Sequence, residues 1–303
     1  MSELSFDGRV AVVTGAGRGI GRAHALLLAD RGASVVVNDL GGSMQGDGAD
    51  AEPASTVAAE IVSAGGVAIA DNNDVATIAG AEALVDAALA QYGHLDILIN
   101  NAGIIRWAGL PEADADNLAR HIAVHVGGSF NTTRAAWPHM LEQRYGRIVM
   151  TTSAGVFGLL ENLSYATAKG GVIGLTRGLM TEGAAHNILV NAIAPAAVTR
   201  MAGRSEDETA TLRVAPQSAP DLVAPMVAFL AHEECPVSGE IYAAGFGRFA
   251  RIFIASTQGY VHTGTDPTME DVAENWATIN DETGYYVPAD LNAWSAAFTA
   301  HLR

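Results

Sequence analysis

The chain has 303 residues, 49% of them hydrophobic, a formal net charge of −16 and a single cysteine, Cys235. That length and apolar content support one large α/β core, while the charge opposes binding to nucleic acid or an anionic membrane. One cysteine excludes an internal disulfide. We find no apolar run long enough to span a bilayer, and the opening MSELSFDGRV lacks the apolar stretch of a signal peptide, so a reducing, cytoplasmic setting is expected.

In chain order, apolar β-branched runs alternate with helical patterns. RVAVVTG (9–15) reads as a buried strand, IGRAHALLLADRG (20–32) as a helix and SVVVND (34–39) as the second strand. The glycine-rich stretch 40–55 reads as an ordinary long loop. STVAAEIVSAGG (55–66) is a helix, VAIADNND (67–74) a strand, AEALVDAALAQYG (81–93) a helix and LDILINNAG (95–103) a strand. A long helix is expected over about 114–143, then the strand GRIVMTTS (146–153), a helix over about 164–185 and the strand ILVNAIAP (188–195). A helix at about 219–231 precedes a last strand near GEIYAAG (239–245). Seven nearly continuous apolar strands separated by helices predict an α/β, doubly wound parallel sheet covered on both faces, with ligands at the carboxyl ends of the strands. Residues 246–303 read as a C-terminal extension packed on the same single domain.

TGAGRGIG (14–21) sits where the first strand turns into the first helix. Gly15, Gly17, Gly19 and Gly21 leave bare backbone there, with Arg18 and Ile20 between them. A pyrophosphate can then approach the free amides of the helix N-terminus. Asp39, eighteen residues after Gly21, ends the second strand. Its carboxylate can bind both hydroxyls of an adenosine ribose and would repel a 2′-phosphate, which favours NAD over NADP. A sheet of the Rossmann type follows from the same residues.

TGAGRGIG, NNAG (100–103) and YATAK (165–169), in that order on the expected elements, make the chain resemble a short-chain dehydrogenase/reductase. More narrowly it is similar to the (3R)-hydroxyacyl-CoA dehydrogenase part of peroxisomal multifunctional enzyme type 2 and its bacterial relatives. The stretches that carry this are VVVNDLGG (35–42), VHVGGSFNTTRAAWPHM (124–140), YGRIVMT (145–151), NILVNAIAP (187–195) and PTMEDVAENWATI (267–279). The resemblance implies Asp74 and Val75 at the adenine, Asn101, Ala102 and Gly103 on the adenosine side, and Pro195, Val198 and Thr199 by the nicotinamide amide. It also implies a homodimer or homotetramer paired through the two long helices.

Tyr165 and Lys169 are four residues apart and share one helical face. A free tyrosine titrates near ~10. An adjacent ammonium, together with the positive charge of oxidised nicotinamide, favours the phenolate, so Tyr165 is expected to be lowered and to take the proton of a secondary alcohol. A further hydroxyl should hold the substrate oxygen. By the spacing that the family resemblance implies, counting forward from Arg147 selects Ser153, and counting back from Tyr165 selects Thr152. Strand register favours Ser153. His125 stands where relatives carry an asparagine that supports a water relay, and imidazole can serve there too. His121 and His125 have the spacing of a zinc pair but no third ligand, so no metal is expected.

The expected function is NAD-dependent interconversion of a secondary alcohol and a ketone, with a (3R)-3-hydroxyacyl-CoA as substrate. A hydroxysteroid or terpene alcohol dehydrogenase is the alternative, and a non-catalytic NAD-binding regulator a third class. Coenzyme A phosphates would call for cations near the mouth, for which Arg106, Arg200, Arg204, Arg248 and Arg251 are candidates. The apolar GVFGLL (155–160) suits a lipid chain or a ring system.

Overall fold

A computed structural model describes residues 3–203 and 215–302. Within it, β1 (Val10–Thr14), β2 (Ser34–Asn38), β3 (Val67–Asp71), β4 (Ile97–Asn100), β5 (Gly146–Thr151), β6 (Ile188–Pro195), β7 (Ile241–Gly245) and β8 (Arg248–Ile252) form one sheet in the order β3-β2-β1-β4-β5-β6-β7-β8. The pairs from β3 through β7 are parallel. The sheet therefore has eight strands, one more than expected. β8 follows β7 after only Phe246 and Gly247, both with positive φ (52° and 73°). That is the geometry of a tight hairpin turn, so β8 adds to the edge by reversing direction. FG is not a common turn signal, and the second arm, RFARI, is broken by two arginines.

β1, β4 and β5 are buried along their whole length, and β2 along all but its first residue, as sheet strands covered on both faces must be. The helices α1 (Gly19–Asp30), α2 (Glu52–Ser63), α3 (Ile78–Tyr92), α4 (Ala115–His121), α5 (Gly128–Gln143), α6 (Leu163–Gly183) and α7 (Ala224–Ala231) connect them. Between α4 and α5, residues Ile122–Gly127 form a π-helical turn, so the long helix expected over 114–143 is interrupted at His125. Such a turn re-aims the side chains it carries. The helix expected over 219–231 is α only from Ala224, because Pro216 and Pro220 open short 3-10 turns before it.

The chain runs β1-β2-β3 toward one edge and resumes at β4 on the other side of β1. That reversal opens a crevice between the carboxyl ends of β1 and β4, where doubly wound sheets bind ligands.

The chain divides into two compact units, 1–251 and 252–303. The smaller unit holds α8 (Met269–Glu274), α9 (Trp276–Ile279) and α10 (Leu291–Phe298). A capping box between Thr268 and Asp271 starts α8, and Ser256 bridges Tyr286.

Candidate active site

The β1–β4 crevice opens into a cavity of about 670 Å³. Its floor is tied by Thr14 and Asn101. Thr14 Oγ1 accepts hydrogen bonds from the amides of Asn101 and Ala102, both at 3.0 Å. Asn101 Nδ2 donates to Thr14 O at 3.0 Å and Gly15 O at 3.1 Å. The close approach needs glycine. A Cβ on Gly15 would stand 2.8 Å from Ala102 Cα, and one on Gly21 would stand 2.2 Å from Gly15 O.

Gly19 opens α1, and no side chain caps that end. The first amides of a twelve-residue helix therefore face the cavity with the positive end of its dipole, which suits an anion. Gly15, Arg18, Gly19, Ile20 and Gly21 all reach the cavity wall, but Gly17 does not. Its amide donates to Asp39 Oδ2 at 2.8 Å, one layer behind. Asp39 Oδ1 accepts from Gly41 N at 2.7 Å. Asp39 thus locks two loops as well as facing the cavity. Asp74 and Val75 lie on the same wall, as do Asn101, Ala102, Gly103, Pro195, Val198 and Thr199.

At the other end of the cavity stand Ser153, Tyr165, Lys169 and His125. β5 ends at Thr151, and Ser153 follows in extended backbone, its Oγ accepting from Gly155 N at 3.0 Å. The Ser153 hydroxyl also lies close enough to Tyr165 to favour its ionised form. Thr152 is turned away: it is absent from the cavity wall, and its Oγ1 donates to Lys169 O at 2.8 Å. Of the two hydroxyls weighed from sequence, Ser153 is the one beside the tyrosine.

Burial pushes Tyr165 above the ordinary phenol range, and the Ser153 hydrogen bond pulls it back in part. Burial also drives Lys169 itself down to about 7, which weakens the positive charge it brings to the tyrosine. Lys169 is 3% exposed, its Nζ donating to Thr151 O at 2.6 Å and lying 5.5 Å from the Tyr165 ring centre.

His121 and His125 stack with ring centres 5.9 Å apart, and each meets the Tyr165 ring edge-on. His125 Nε2 donates to Ile104 O at 2.8 Å. Burial, reinforced by the Lys169 charge, holds His125 neutral, well below the usual imidazole range. His121, which composition singled out only as half of a metal pair, is an aromatic wall behind the tyrosine. Its Nε2 accepts from Arg106 N at 3.2 Å, and its Nδ1 donates to Asn117 O.

Three residues of the cavity wall each carry a buried polar atom with no partner among the described residues: Arg18 Nη1, Thr151 Oγ1 and His125 Nδ1. Buried polar atoms are ordinarily satisfied, so these orphans, with the bare glycine turn and free helix amides, fit a cavity built around a polar ligand such as a dinucleotide.

Two sets of wall residues escape sequence reasoning. One is Leu40, Gly42, Ser43 and Gly46 of the supposed ordinary loop. Its length was the available signal, since connections of this kind usually take ~2–6 residues. The other is cationic. Of the four described arginines among those considered for the mouth, Arg200 alone lines the cavity, joined by Arg18 and Arg120. Arg106 is tied to Asp47 and Asp116, Arg248 and Arg251 lie on edge strand β8, and Arg204 lies outside the described residues.

A family model described as short chain dehydrogenase matches residues 9–210. A short-chain type dehydrogenase/reductase of Mycobacterium tuberculosis is 42% identical over 277 residues, 91% of this chain and 95% of that protein. The structure of full-length peroxisomal multifunctional enzyme type 2 from Drosophila melanogaster superposes with a TM-score of 0.80 at 34% identity, covering 99% of this chain and 50% of that one. This chain thus spans half the length of that enzyme. A 7α-hydroxysteroid dehydrogenase complexed with NADH and 7-oxo glycochenodeoxycholic acid superposes at 0.71 with 29% identity, covering 82% of this chain and 98% of that one.

Proposed function

We propose, because the chain belongs to the short-chain dehydrogenase family, that it uses NAD to interconvert a secondary alcohol and a ketone, with a (3R)-3-hydroxyacyl thioester of coenzyme A as substrate. The observation that carries this is the convergence of Ser153, Tyr165 and Lys169 on one end of a cavity whose other end holds the glycine turn and Asp39. A bound nicotinamide accepts or returns the hydride. Everything else falls to side chains. Ser153 Oγ holds the substrate oxygen, and Tyr165 beside it takes the alcohol proton as the phenolate, a form that the positive charge of a bound oxidised nicotinamide would favour against the burial that raises it. Lys169 binds sugar hydroxyls of the cofactor and can restore the tyrosine's proton balance, since at about 7 its ammonium gains and loses a proton near neutrality. Asp39 on the cavity wall favours a free 2′-hydroxyl and so NAD over NADP.

The acyl-thioester substrate rests on the similarity to the multifunctional enzyme. Exposed Leu110, Phe157 and Leu160 suit an apolar substrate tail, since their loops meet beside Ser153 and Tyr165 through the Ala108–Asn162 bridge. A neutral hydroxysteroid or terpene alcohol is the second reading, favoured by the absence of Arg106, Arg248 and Arg251 from the cavity wall. The proposed assembly is a homodimer or homotetramer. Exposed Leu118, Ile122, Phe130 and Leu163 on the long helices support it, and molar mass by light scattering checks it.

The test is NADH or NADPH formation from (3R)-hydroxyacyl-CoA, steroid and terpene alcohols, with wild type and Tyr165→Phe. The expected result is NADH formation by wild type alone, with Tyr165→Phe still binding NADH. Undetectable turnover by both on every alcohol, with NADH bound, would instead make the chain a non-catalytic cofactor-binding regulator.

A further inference from the structure

We infer that loop 40–50 is a strap across the cavity and that Asp47 is its latch, a positioning residue that sets how long a bound dinucleotide stays. This rests on the reading of the cavity as a dinucleotide site.

The loop is a body in its own right. Leu40 O accepts from Asp50 N at 2.8 Å, Asp47 O from Ser43 N at 2.8 Å, and Ser43 O from Gly46 N at 3.0 Å. Gly41, at φ +81°, permits the closure, because a Cβ there would fall 1.8 Å from Asp50 O. Compact loops closed at their base and packed by their own atoms move as units. Leu40, Gly42, Ser43 and Gly46 all line the cavity.

Its far side is fastened to the opposite wall. Ile105 N donates to Met44 O at 2.8 Å, and a Cβ on Gly46 would press within 2.8 Å of Ile104 Cγ2. Arginines from three separate places reach its carbonyls. Arg106, after β4, donates from Nε to Gln45 O at 2.8 Å. Arg120, on α4, donates from Nη2 to Gly46 O at 3.1 Å. Arg200, after β6, donates from Nη1 to Gly42 O at 3.3 Å. Asp47 Oδ1 then accepts from both Arg106 Nη2 at 2.9 Å and Arg120 Nη2 at 3.1 Å. One carboxylate thus joins the strap to two elements of the far wall. Asp47 is itself off the cavity wall.

The strap therefore links the Asp39 side of the crevice to the Ile104–Arg120 side. A dinucleotide held between those walls leaves when the strap lets go. The side chains of Asp47 and Arg120 are 64% and 40% exposed, so the latch is an exposed ion pair, weak enough to open repeatedly. Arg106 also donates its backbone amide to His121, which packs against Tyr165. The wall that the latch grips is thus the one behind the tyrosine.

The test is the NADH release rate, followed by stopped-flow displacement of protein-bound nicotinamide fluorescence. Wild type, Asp47→Asn and Asp47→Glu are compared, alongside thermal midpoints without cofactor. Asp47→Asn is expected to release NADH about three- to tenfold faster. Its cofactor-free midpoint should match wild type, and Asp47→Glu should restore most of the slow release. Added salt should speed wild-type release and narrow the gap to Asp47→Asn. Equal release rates in wild type and Asp47→Asn overturn the inference. So does faster release accompanied by a lowered midpoint that Asp47→Glu leaves uncorrected. Failure of wild type to bind NADH at all refutes the dinucleotide reading itself, and the latch with it.

Discussion

Lys169→Met should make the cofactor-free protein more stable at neutral pH. The lysine is 3% exposed, has Thr151 O at 2.6 Å as its hydrogen-bond acceptor, and is pushed from 10.5 down to about 7 by burial alone. Below pH 7 the amine is charged in both folded and unfolded chains, and the fold carries the full cost of burying it. Between 7 and 10.5 the folded chain holds it neutral while the unfolded chain keeps its proton. Stability therefore rises with pH across that window. The whole shift corresponds to an upper bound of about 5 kcal/mol, and the part recovered between pH 7 and pH 9 to about 2 kcal/mol. Methionine keeps the length of the chain without the charge. Thermal or urea unfolding of both proteins at pH 7, 8 and 9 measures the effect. Lys169→Met should unfold later than wild type at pH 7, with a difference that shrinks by about 2 kcal/mol at pH 9. A variant less stable than wild type at pH 7, or a difference independent of pH, refutes the argument that Lys169 is an uncompensated buried amine.

The two neighbouring hydroxyls should separate by assay. Ser153→Ala should lower kcat by about 10²–10³ with little change in the unfolding midpoint, as for loss of one preorganised donor. Thr152→Ala should leave turnover within a few fold but lose about 1 kcal/mol of stability, since its hydroxyl bonds Lys169 O within the fold. Steady-state rates and midpoints for both decide it, and a larger kcat loss in Thr152→Ala would reverse the assignment. Gly21→Ala should abolish NADH binding in a fluorescence titration. The new Cβ would sit 2.2 Å from Gly15 O and 2.4 Å from Asn101 Nδ2, atoms that hold the turn and cannot both yield. Retained affinity would show that the turn does not shape the cofactor site.

The fold was legible where burial is two-sided. β1, β2, β4 and β5 are continuous apolar runs, and the change of period between them and the helices marks each element. β8 escaped because Arg248 and Arg251 break its apolar run and its turn places Phe246, not asparagine or glycine, in the left-handed region. The glycine turn, Asp39 and the Tyr165–Lys169 pair followed from the residues themselves, and the wall positions from Asp74 to Thr199 only from the family resemblance. Loop 40–50 did not, because what orders it is remote in sequence: Arg106, Arg120 and Arg200. Glycine content reads as slack until the partners that take it up are known. The charge state of Lys169 was hidden for a related reason. Spacing of i, i+4 fixes adjacency, whereas the charge on Lys169 depends on how much solvent the surrounding fold removes, a property of β5, α6 and the π-helical turn together.

That same removal of solvent explains why the site has its particular polar atoms. A buried lysine near neutrality, a neutral buried imidazole and an unpartnered threonine hydroxyl each oppose folding. They occur side by side, around one tyrosine, at the carboxyl ends of strands whose remaining length is apolar. A core selected for stability alone would fill these positions with aliphatic side chains, at a gain. Their convergence on one end of one cavity is therefore evidence of chemistry that does not depend on any motif. Under the proposed function, a dinucleotide that binds the folded cavity and not the unfolded chain would offset part of this cost. The latch at Asp47 acts at that step, holding the strap while the site is satisfied and yielding when it is not.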